Sequence, residues 1–290
     1  MTAPAPRVAF ATSEVAADLD DGWPYLRDAV MALGMAPSVV FWDDPAVEWG
    51  AYDVTVAIYT WGYVTRRAPF LSWVQDVESV TRLVNPAPVL RWNSDKTYLA
   101  DLAADGIPVV PTEWVTPGAA WTPPSEDYVI KPSVASGGIG AARYVTQTVD
   151  TADRHVRALH DDGHTVMVQP YQAAVDTGGE TALVFFDGLY SHGVGKAALL
   201  RADVGVTDEL WKQESITAVV PRDDQRTAAE SVMRAVDARF GSTGYGRVDL
   251  VDGSDGLPLV LELELVEPSL FFDLVPDAAG RLAAYLHALR

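Results

Sequence analysis

Four charged side chains near the C-terminal end of the sequence have the types and spacing to share one chemical site. Arg247 and Asp249 alternate along one strand-like segment, and Glu262 and Glu264 alternate along the next. Because successive strand side chains point to opposite faces, each pair lies on one face. The Gly/Asp-rich segment 252–256 predicts an antiparallel hairpin that places Asp249 opposite Glu262. Arg247 then lies opposite Glu264.

This hairpin would crowd three carboxylates into a patch among apolar residues. Cross-strand neighbours have Cβ atoms roughly 5 Å apart, and like charges so close repel by several kcal/mol unless a cation lies between them. Hard oxygen ligands in such a cluster suit Mg²⁺, which usually accompanies a phosphate-bearing substrate. The alternative is a sheet with one solvated face that carries glutamates at alternate positions.

A second candidate feature is a strand-like segment that ends at Lys131 and runs into a loop, residues 133–140, rich in glycine and serine. Glycines let backbone N–H groups approach phosphate oxygens closely, and the lysine supplies a point charge. The loop is not a Walker A motif, because no Gly-Lys-Ser/Thr follows and the loop joins two predicted strands. The alternative is an ordinary mobile hairpin loop with a surface lysine.

Three further charged residues lie at the ends of predicted elements. Lys96 is expected in the first turn of a helix that begins near Ser94, where free amide groups favour anions. Glu180 begins a strand after a Gly-Gly pair and could bond a ribose hydroxyl, and Lys196 ends the next strand. Each position is also ordinary for a solvated element end, so none of the three identifies a site alone.

The pattern of apolar runs predicts a mixed α/β (α+β) protein of three lobes. The first lobe, residues 1–89, is a parallel α/β unit with predicted strands at 7–11, 38–42 and 53–59 and predicted helices at 25–33 and 70–84. The second lobe, residues 90–168, is a small α+β unit that contains the Gly-rich loop. The third lobe, residues 169–290, is an antiparallel unit that contains the hairpin of Arg247, Asp249, Glu262 and Glu264 and a long amphipathic helix.

Composition restricts the partners of the chain. The formal net charge of −19 over 290 residues argues against nucleic acid and anionic membranes as partners. The chain has no cysteine, which excludes disulfides, thiolate nucleophiles and zinc–sulfur sites. No signal peptide and no run of membrane-spanning length is visible. We therefore expect a cytoplasmic monomer or homodimer that acts on a small molecule.

The order of these motifs resembles the ATP-grasp superfamily over about residues 85–270. The elements are a lysine at a helix start, Lys-Pro with a Gly-rich loop, Gln-Pro-Tyr, Gly-Gly-Glu, Arg-x-Asp and Glu-x-Glu. Residues 93–99, 129–132 and 262–270 are similar to the branch that closes the isoxazolidinone ring in cycloserine biosynthesis and to its uncharacterised bacterial relatives. The resemblance implies an ATP-grasp fold, in which a parallel α/β lobe precedes two α+β lobes that clamp ATP.

The resemblance also implies roles for individual residues. The phosphates of ATP are assigned to Lys96, Lys131, Ser133, Ser136, Gly137 and Gly138. The adenine edge is assigned to Gln169, Pro170 and Tyr171, and the ribose to Glu180. Two Mg²⁺ ions are assigned to Asp249, Glu262 and Glu264, and the transferring phosphoryl group to Lys196 and Arg247. The implied activity is that of an ADP-forming carboxylate–amine ligase. Intramolecular ring closure, intermolecular ligation of two small molecules and a non-catalytic nucleotide-binding protein all remain open.

The first lobe and the segment after the hairpin supply candidates for the substrate site. These are Glu14, Asp20, Trp61, Tyr63 and Ser269. Their acidic members would suit an amino-acid-like substrate with a cationic amine, although Asp20 also fits a solvated acidic loop. Two departures from the family pattern stand out. Glu264 replaces an amide common at the metal motif, and the segment around Trp61 lacks the Arg and Asp expected in this branch.

Overall fold

The computed structural model describes residues 4–16, 20–145, 148–198, 205–206 and 215–289. The chain forms three sheets, of four, four and five strands, in the part described. The prediction of a mixed α/β protein is confirmed. No helix in the described ranges is both long and apolar enough to cross a bilayer.

The first sheet is parallel, with strand order β2-β1-β3-β4. Its elements are β1 (Arg7–Thr12), α1 (Trp23–Ala32), β2 (Ala36–Phe41), β3 (Val54–Tyr59), α2 (Arg67–Glu78) and β4 (Arg82–Val84). Strands β1 and β3 are buried almost throughout, as expected where helices cover a parallel sheet. The carboxyl ends of these strands lead to Trp61 and Tyr63.

The helix predicted over residues 70–84 is wrong in its second half. Helix α2 ends at Glu78, and β4 pairs in parallel with β3 at the edge of the sheet. Leu83 and Val84 are apolar residues at a spacing that also fits a helix, but both are buried against the sheet. Tertiary pairing, rather than local periodicity, therefore decides the structure of this segment.

The segment that carries Lys96 also differs from prediction. Helix α3 (Ala87–Asn93) begins after Pro86, ends at Ser94, and is followed by α4 (Tyr98–Ala104). Ser94 is thus a C-cap rather than the N-cap expected. The sequence Asn-Pro-Ala-Pro starts a helix because proline fits the first helical turn, where its missing N–H is not needed.

The central sheet has the order β5-β8-β6-β7, with every neighbouring pair antiparallel. Its elements are β5 (Glu113–Val115), β6 (Tyr128–Pro132), β7 (Ala142–Tyr144), α5 (Val149–Asp161) and β8 (Val166–Pro170). Helix α5 buries one face on this sheet through Val156 and Leu159. The Gly-rich loop joins β6 to β7, as predicted, and strand β5 was not predicted.

The C-terminal sheet is antiparallel in the order β11-β10-β9-β12-β13. Its elements are α6 (Val175–Gly178), β9 (Glu180–Phe186), β10 (Leu189–Lys196), β11 (Ile216–Val219), α7 (Asp223–Phe240), β12 (Tyr245–Asp252), β13 (Pro258–Glu264) and α8 (Asp277–Ala288). The predicted hairpin is confirmed, with Asp249 paired to Glu262 and Arg247 to Glu264. An irregularity in the pairing follows Asp249.

Two buried clusters join these layers. Helices α4 and α7 pack on one side of the C-terminal sheet, through residues such as Leu99 and Val232. Helix α8 packs against α1 and against the other side of that sheet, so the chain's last helix also covers the first lobe. Asn85 reinforces this junction, since its side chain donates to the carbonyls of Tyr245 and Leu265. The lobe boundaries at 89/90 and 168/169 stay a prediction.

Candidate active site

A cavity of about 300 Å³ is lined by residues of the central sheet, the C-terminal sheet and the first lobe. Most of the predicted site residues meet there although they are distant in sequence. Those that line it are Trp61, Tyr63, Lys96, Lys131, Ser136, Gly137, Gly138, Gln169, Pro170, Tyr171, Glu180, Lys196, Arg247, Asp249, Glu262, Glu264 and Ser269. The cavity therefore combines the Gly-rich loop, the charged hairpin and the ends of the first lobe's strands.

Arg247 is the centre of the charged hairpin. Its guanidinium donates to Asp249 at 2.8 Å and 3.0 Å and to Glu264 at 2.5 Å. A further N–H group donates to the carbonyl of Ser269 at 3.2 Å. Burial alone would lower the pKa of Arg247, but the charges of Asp249 and Glu264 outweigh it and raise that pKa. Arg247 thus stays a cation while buried.

Lys196 joins two strands of the C-terminal sheet through carboxylates. Its Nζ lies 2.8 Å from Glu180 Oε2 and 2.8 Å from Asp249 Oδ2. Burial opposes the charge of Lys196, yet Asp249 and Glu180 raise its pKa above the ordinary value. Burial would likewise raise the pKa of Asp249, but Arg247 and Lys196 hold it below its usual range. Asp249 is therefore an ionised carboxylate at neutral pH.

Lys96 ties the Gly-rich loop to the hairpin. Its backbone N–H donates to the carbonyl of Ser133 at 2.7 Å, and its ammonium donates to the carbonyl of Ala135. The same ammonium lies 2.9 Å from Glu262 Oε1. One lysine thus contacts the loop that begins after β6 and the last strand of the C-terminal sheet.

Lys131 differs from the other cations of the cavity. Among the described residues it has no ion pair and no side-chain hydrogen bond, although Lys96, Lys196 and Arg247 each have at least one. Burial lowers the pKa of Lys131, which reflects a charge that lacks a direct counterion. An anion in the cavity would supply that counterion.

The two hairpin glutamates lie in unequal surroundings. Burial would raise the pKa of Glu262, but Lys96 and Lys131 lower it. Burial raises the pKa of Glu264 to about 7, and Glu262 and Asp249 add to this effect although Arg247 opposes it. At Glu264, burial and the two neighbouring carboxylates thus outweigh Arg247, and an added cation there would relieve the repulsion.

The three predicted metal ligands do not form a ready-made metal cluster. No group of three carboxylate or histidine side chains within the described ranges is arranged to hold an ion. Asp249, Glu262 and Glu264 instead bond to Arg247, Lys96 and Lys196. Their oxygens are hard ligands that line one cavity, so the donor set fits Mg²⁺ once the ion competes with these cations.

The Gly-rich loop has the backbone freedom that its sequence indicates. Gly137, Gly138 and Gly140 have φ values of 59°, 75° and 73°, a region that favours glycine. The hydroxyl of Ser136 is buried and has no hydrogen-bond partner in the described structure. Ser133 does not line the cavity; it is buried, and its backbone bonds to that of Lys96 and Thr165. Its carbonyl accepts the backbone N–H of Lys96 and so helps to position that lysine.

The segment 169–171, which the resemblance assigns to the adenine edge, lines the cavity. Gln169 is buried, pairs with Val129 across β8 and β6, and donates its side-chain N–H to Thr112 at 2.8 Å. The Tyr171 ring lies 3.5 Å from the guanidinium of Arg143. These contacts hold the segment in place.

Two of the substrate candidates are not brought to this cavity. Glu14 lies exposed on a short 3-10 turn after β1. Asp20 accepts the backbone N–H of Gly22 at 3.0 Å ahead of α1, and burial raises its pKa to about 6. Asp20 thus bonds to the backbone ahead of α1, whereas Trp61, Tyr63 and Ser269 do line the cavity.

Asn93 and Glu267 are among the cavity residues that were not predicted as site residues. Asn93 donates to the carbonyl of Leu263 at 2.8 Å and accepts the N–H of Leu265 at 2.6 Å, so it holds the strand on both sides of Glu264. Glu267 lines the cavity while only 9% exposed. The run of alternating glutamates from 262 could have suggested Glu267, but its three-residue spacing from Glu264 breaks the alternation.

Comparison with known proteins identifies similar chains along nearly the whole length. Residues 8–85 match the family model described as the N-terminal domain of the D-cycloserine synthetase DcsG. The chain is 39% identical over 294 aligned positions to the cycloserine biosynthesis protein DcsG of Streptomyces lavendulae, and the match covers 96% of this chain and 97% of that protein.

Solved structures extend this similarity to three dimensions. The crystal structure of D-cycloserine synthetase DcsG matches with a TM-score of 0.90 and 37% identity, over 98% of this chain and 100% of that chain. The D-alanine–D-alanine ligase of Bacillus anthracis complexed with ATP matches with a TM-score of 0.69 and 13% identity, over 98% and 97%. The ATP-grasp ligase PsnB complexed with its minimal precursor, Mg and ADP matches with a TM-score of 0.62 and 18% identity, over 98% and 96%.

Proposed function

Because the chain belongs to the D-cycloserine synthetase family of ATP-grasp ligases, we propose that it uses ATP to join a carboxyl group to a nitrogen nucleophile. The products of the proposed reaction are ADP, phosphate and a molecule that contains the new C–N bond. One observation carries this proposal: the hairpin register sets Arg247 and Asp249 opposite Glu264 and Glu262 in the cavity that also holds three lysines.

We assign the nucleotide to the side of the cavity formed by the Gly-rich loop and segment 169–171. Lys131 meets the phosphates, because it is the cavity's cation without a direct counterion in the described structure. Lys96 and the glycines of the loop complete the phosphate site. The fixed backbone of Gln169 to Tyr171 meets the adenine edge, and Glu180 meets the ribose.

Asp249, Glu262 and Glu264 would hold Mg²⁺ in this proposal. When bound, the ion neutralises phosphate charge and polarises the phosphoryl oxygens. The raised pKa of Glu264 supports the assignment, since a crowded carboxylate gains most from an added cation. The occurrence of Mg and ADP in a related ligase structure is consistent with it. Two ions, as the family pattern implies, are our prediction.

The protein's own residues contribute position and charge to the proposed reaction. A substrate carboxylate oxygen bonds to the γ-phosphorus while the bond between that phosphorus and the ADP oxygen breaks. The nitrogen nucleophile then bonds to the acyl carbon, phosphate leaves with the electrons of the C–O bond, and the nitrogen loses a proton. Arg247 and Lys196 balance the charge on the transferring group, and fixed charges of this kind stabilise transition states without reorganisation.

The acyl donor and the nitrogen belong to one molecule in our preferred version, which closes a ring. Its support is the 39% identity to a cycloserine biosynthesis protein across 96% of the chain. Intermolecular ligation uses the same activation step and differs only in the source of the nitrogen. A cytoplasmic location and a monomeric or homodimeric state remain predictions from composition.

The test is ADP release from the purified protein with Mg-ATP and D- and L-serine derivatives that carry a nitrogen nucleophile on the side-chain oxygen. Mass spectrometry of the product separates the two versions, because ring closure consumes one amino-acid molecule per ADP and ligation consumes two partners. Arg247→Lys should abolish release, whereas the exposed strand variant Glu113→Gln should match wild type. If no derivative raises ADP release and ATP does not raise the melting temperature, the proposal fails.

A further inference from the structure

Among the described residues that line the cavity, one carboxyl group forms no ion pair. Glu180, Asp249, Glu262 and Glu264 each bond directly to a lysine or arginine. Glu267 lines the same cavity, and within the described residues its carbonyl accepts the Trp61 N–H while its carboxyl group makes no hydrogen bond and no ion pair. Burial, and then the charge of Glu264, raise the pKa of Glu267 well above its ordinary value. A buried carboxyl group without a partner is uncommon and costly.

The backbone around Glu267 is held firmly, and none of the bonds that hold it uses the carboxyl group. Tyr245 donates to the carbonyl of Val266 at 2.8 Å, Trp61 to that of Glu267 at 2.9 Å, and Arg247 to that of Ser269 at 3.2 Å. The side chain is thus placed beforehand while its hydrogen-bonding capacity is spare. Such preorganisation reduces the entropy lost when a ligand binds.

The surroundings of Glu267 fit an organic ammonium group. Trp61, Tyr63 and Phe271 line the same cavity and are themselves buried. Burial, and then the charge of Glu267, raise the pKa of the Tyr63 hydroxyl, so the two groups interact electrostatically. Aromatic faces attract ammonium groups. Mg²⁺, in contrast, keeps several oxygen ligands and waters, and the hairpin carboxylates supply a better set.

We propose that Glu267 binds the protonated amine of an amino-acid-like substrate, at the side of the cavity formed by Trp61 and Tyr63. This assignment rests on the proposed function, since it names the group that recognises the substrate of the same reaction. The substrate is then held at two points, its amine by Glu267 and its reacting carboxylate near Arg247 and Lys196. Molecules that lack the amine leave Glu267 unpaired and are rejected.

Binding of two ring compounds to the protein loaded with Mg-ADP tests this role. D-cycloserine carries a primary amine on an isoxazolidinone ring, and isoxazolidin-3-one is the same ring without the amine. Calorimetry at a pH where the amine is protonated gives both affinities for wild type, for Glu267→Gln and for Glu113→Gln. Glutamine keeps the size of the side chain, so the first variant removes the ionisable carboxyl group and little else.

We expect wild type to bind D-cycloserine about 10- to 100-fold more tightly than the amine-free ring, which is the value of one charge-assisted hydrogen bond. Glu267→Gln should lose that preference, and the exposed variant Glu113→Gln should keep it. The inference is overturned if Glu267→Gln keeps the preference, or if wild type binds both rings equally. If Mg-ADP binds but neither ring does, the proposed ring-closing function fails instead. A Glu267→Gln protein that does not fold leaves the wild-type comparison of the two rings as the deciding measurement.

Discussion

Replacement of Glu264 by glutamine should stabilise the metal-free protein, and should do so only above acidic pH. In the folded protein the pKa of Glu264 rises from 4.5 to about 7, chiefly through burial, with Glu262 and Asp249 adding to the effect. A folded-state pKa above the unfolded value favours folding below the unfolded pKa, and this contribution is lost as the pH rises through the folded pKa. Glu264 therefore destabilises the fold progressively between about pH 4.5 and pH 7.

The magnitude follows from the two pKa values. The side chain of Glu264 is 27% exposed, so solvent screens it only in part. The rise corresponds to at most about 3 kcal/mol above pH 7 and to about 1 kcal/mol at pH 5. For a chain of this size 1 kcal/mol shifts the melting temperature by about 2 °C. The variant Glu264→Gln should thus melt about 5 °C above wild type at pH 8 and within about 2 °C of it at pH 5.

The assay is thermal unfolding followed by circular dichroism in chelator, at intervals between pH 5 and pH 8. Glu262→Gln is the matched control, because Lys96 and Lys131 lower the pKa of Glu262 although its burial opposes them. A lowered pKa stabilises the fold above the unfolded value, so this variant should melt below wild type at pH 8. A difference between Glu264→Gln and wild type that does not change with pH, or a loss of stability at pH 8, would refute the reasoning.

Three further outcomes test other parts of the site. Glu262→Ala and Glu264→Ala should each reduce ADP release at least about 100-fold, because each variant loses a metal ligand and its charge balance. Far-UV circular dichroism should show an intact fold in both. Retained activity in both variants would remove the metal assignment. Lys131→Met should abolish the rise in melting temperature that Mg-ATP produces, since the cation without a counterion is lost, and an unchanged rise would place the phosphates elsewhere. Asn93→Ala should lower the free energy of unfolding in urea by about 2 to 4 kcal/mol, because it leaves a buried carbonyl and a buried N–H group near the end of the last strand unpaired. A decrease below about 0.5 kcal/mol would show that water replaces both bonds.

Sequence patterns predicted the hairpin correctly because its information is local. A strand period of two and a Gly/Asp-rich turn determine which side chains face each other, and the observed register pairs Asp249 with Glu262. The Gly-rich loop was equally accessible, since glycine and serine between two apolar runs indicate a connection of strands. In both segments the local sequence is enough to predict the structure.

Residues whose partners lie far away in sequence were not predicted. Asn93 bonds to the backbone of the last strand about 170 positions later, and nothing near it indicates this contact. Arg82 to Val84 form an edge strand only because β3 offers unpaired groups there. Glu14 and Asp20 carried the right charge for a substrate site, but Glu14 lies exposed on a short 3-10 turn and Asp20 bonds to the backbone ahead of α1. Charge alone does not locate a residue in three dimensions.

The ion pairs of the cavity explain how a chain with a formal net charge of −19 can bind an anionic nucleotide. Glu262 forms an ion pair with Lys96, and Asp249 forms ion pairs with Lys196 and Arg247. The carboxylates keep the cations charged although they are buried, as the raised pKa values of Lys196 and Arg247 require. If Mg²⁺ were held by these carboxylates, Lys96, Lys196 and Arg247 would be free to pair with the phosphates of the nucleotide. Metal and nucleotide should therefore bind cooperatively, because each provides the counter-charges that the other displaces.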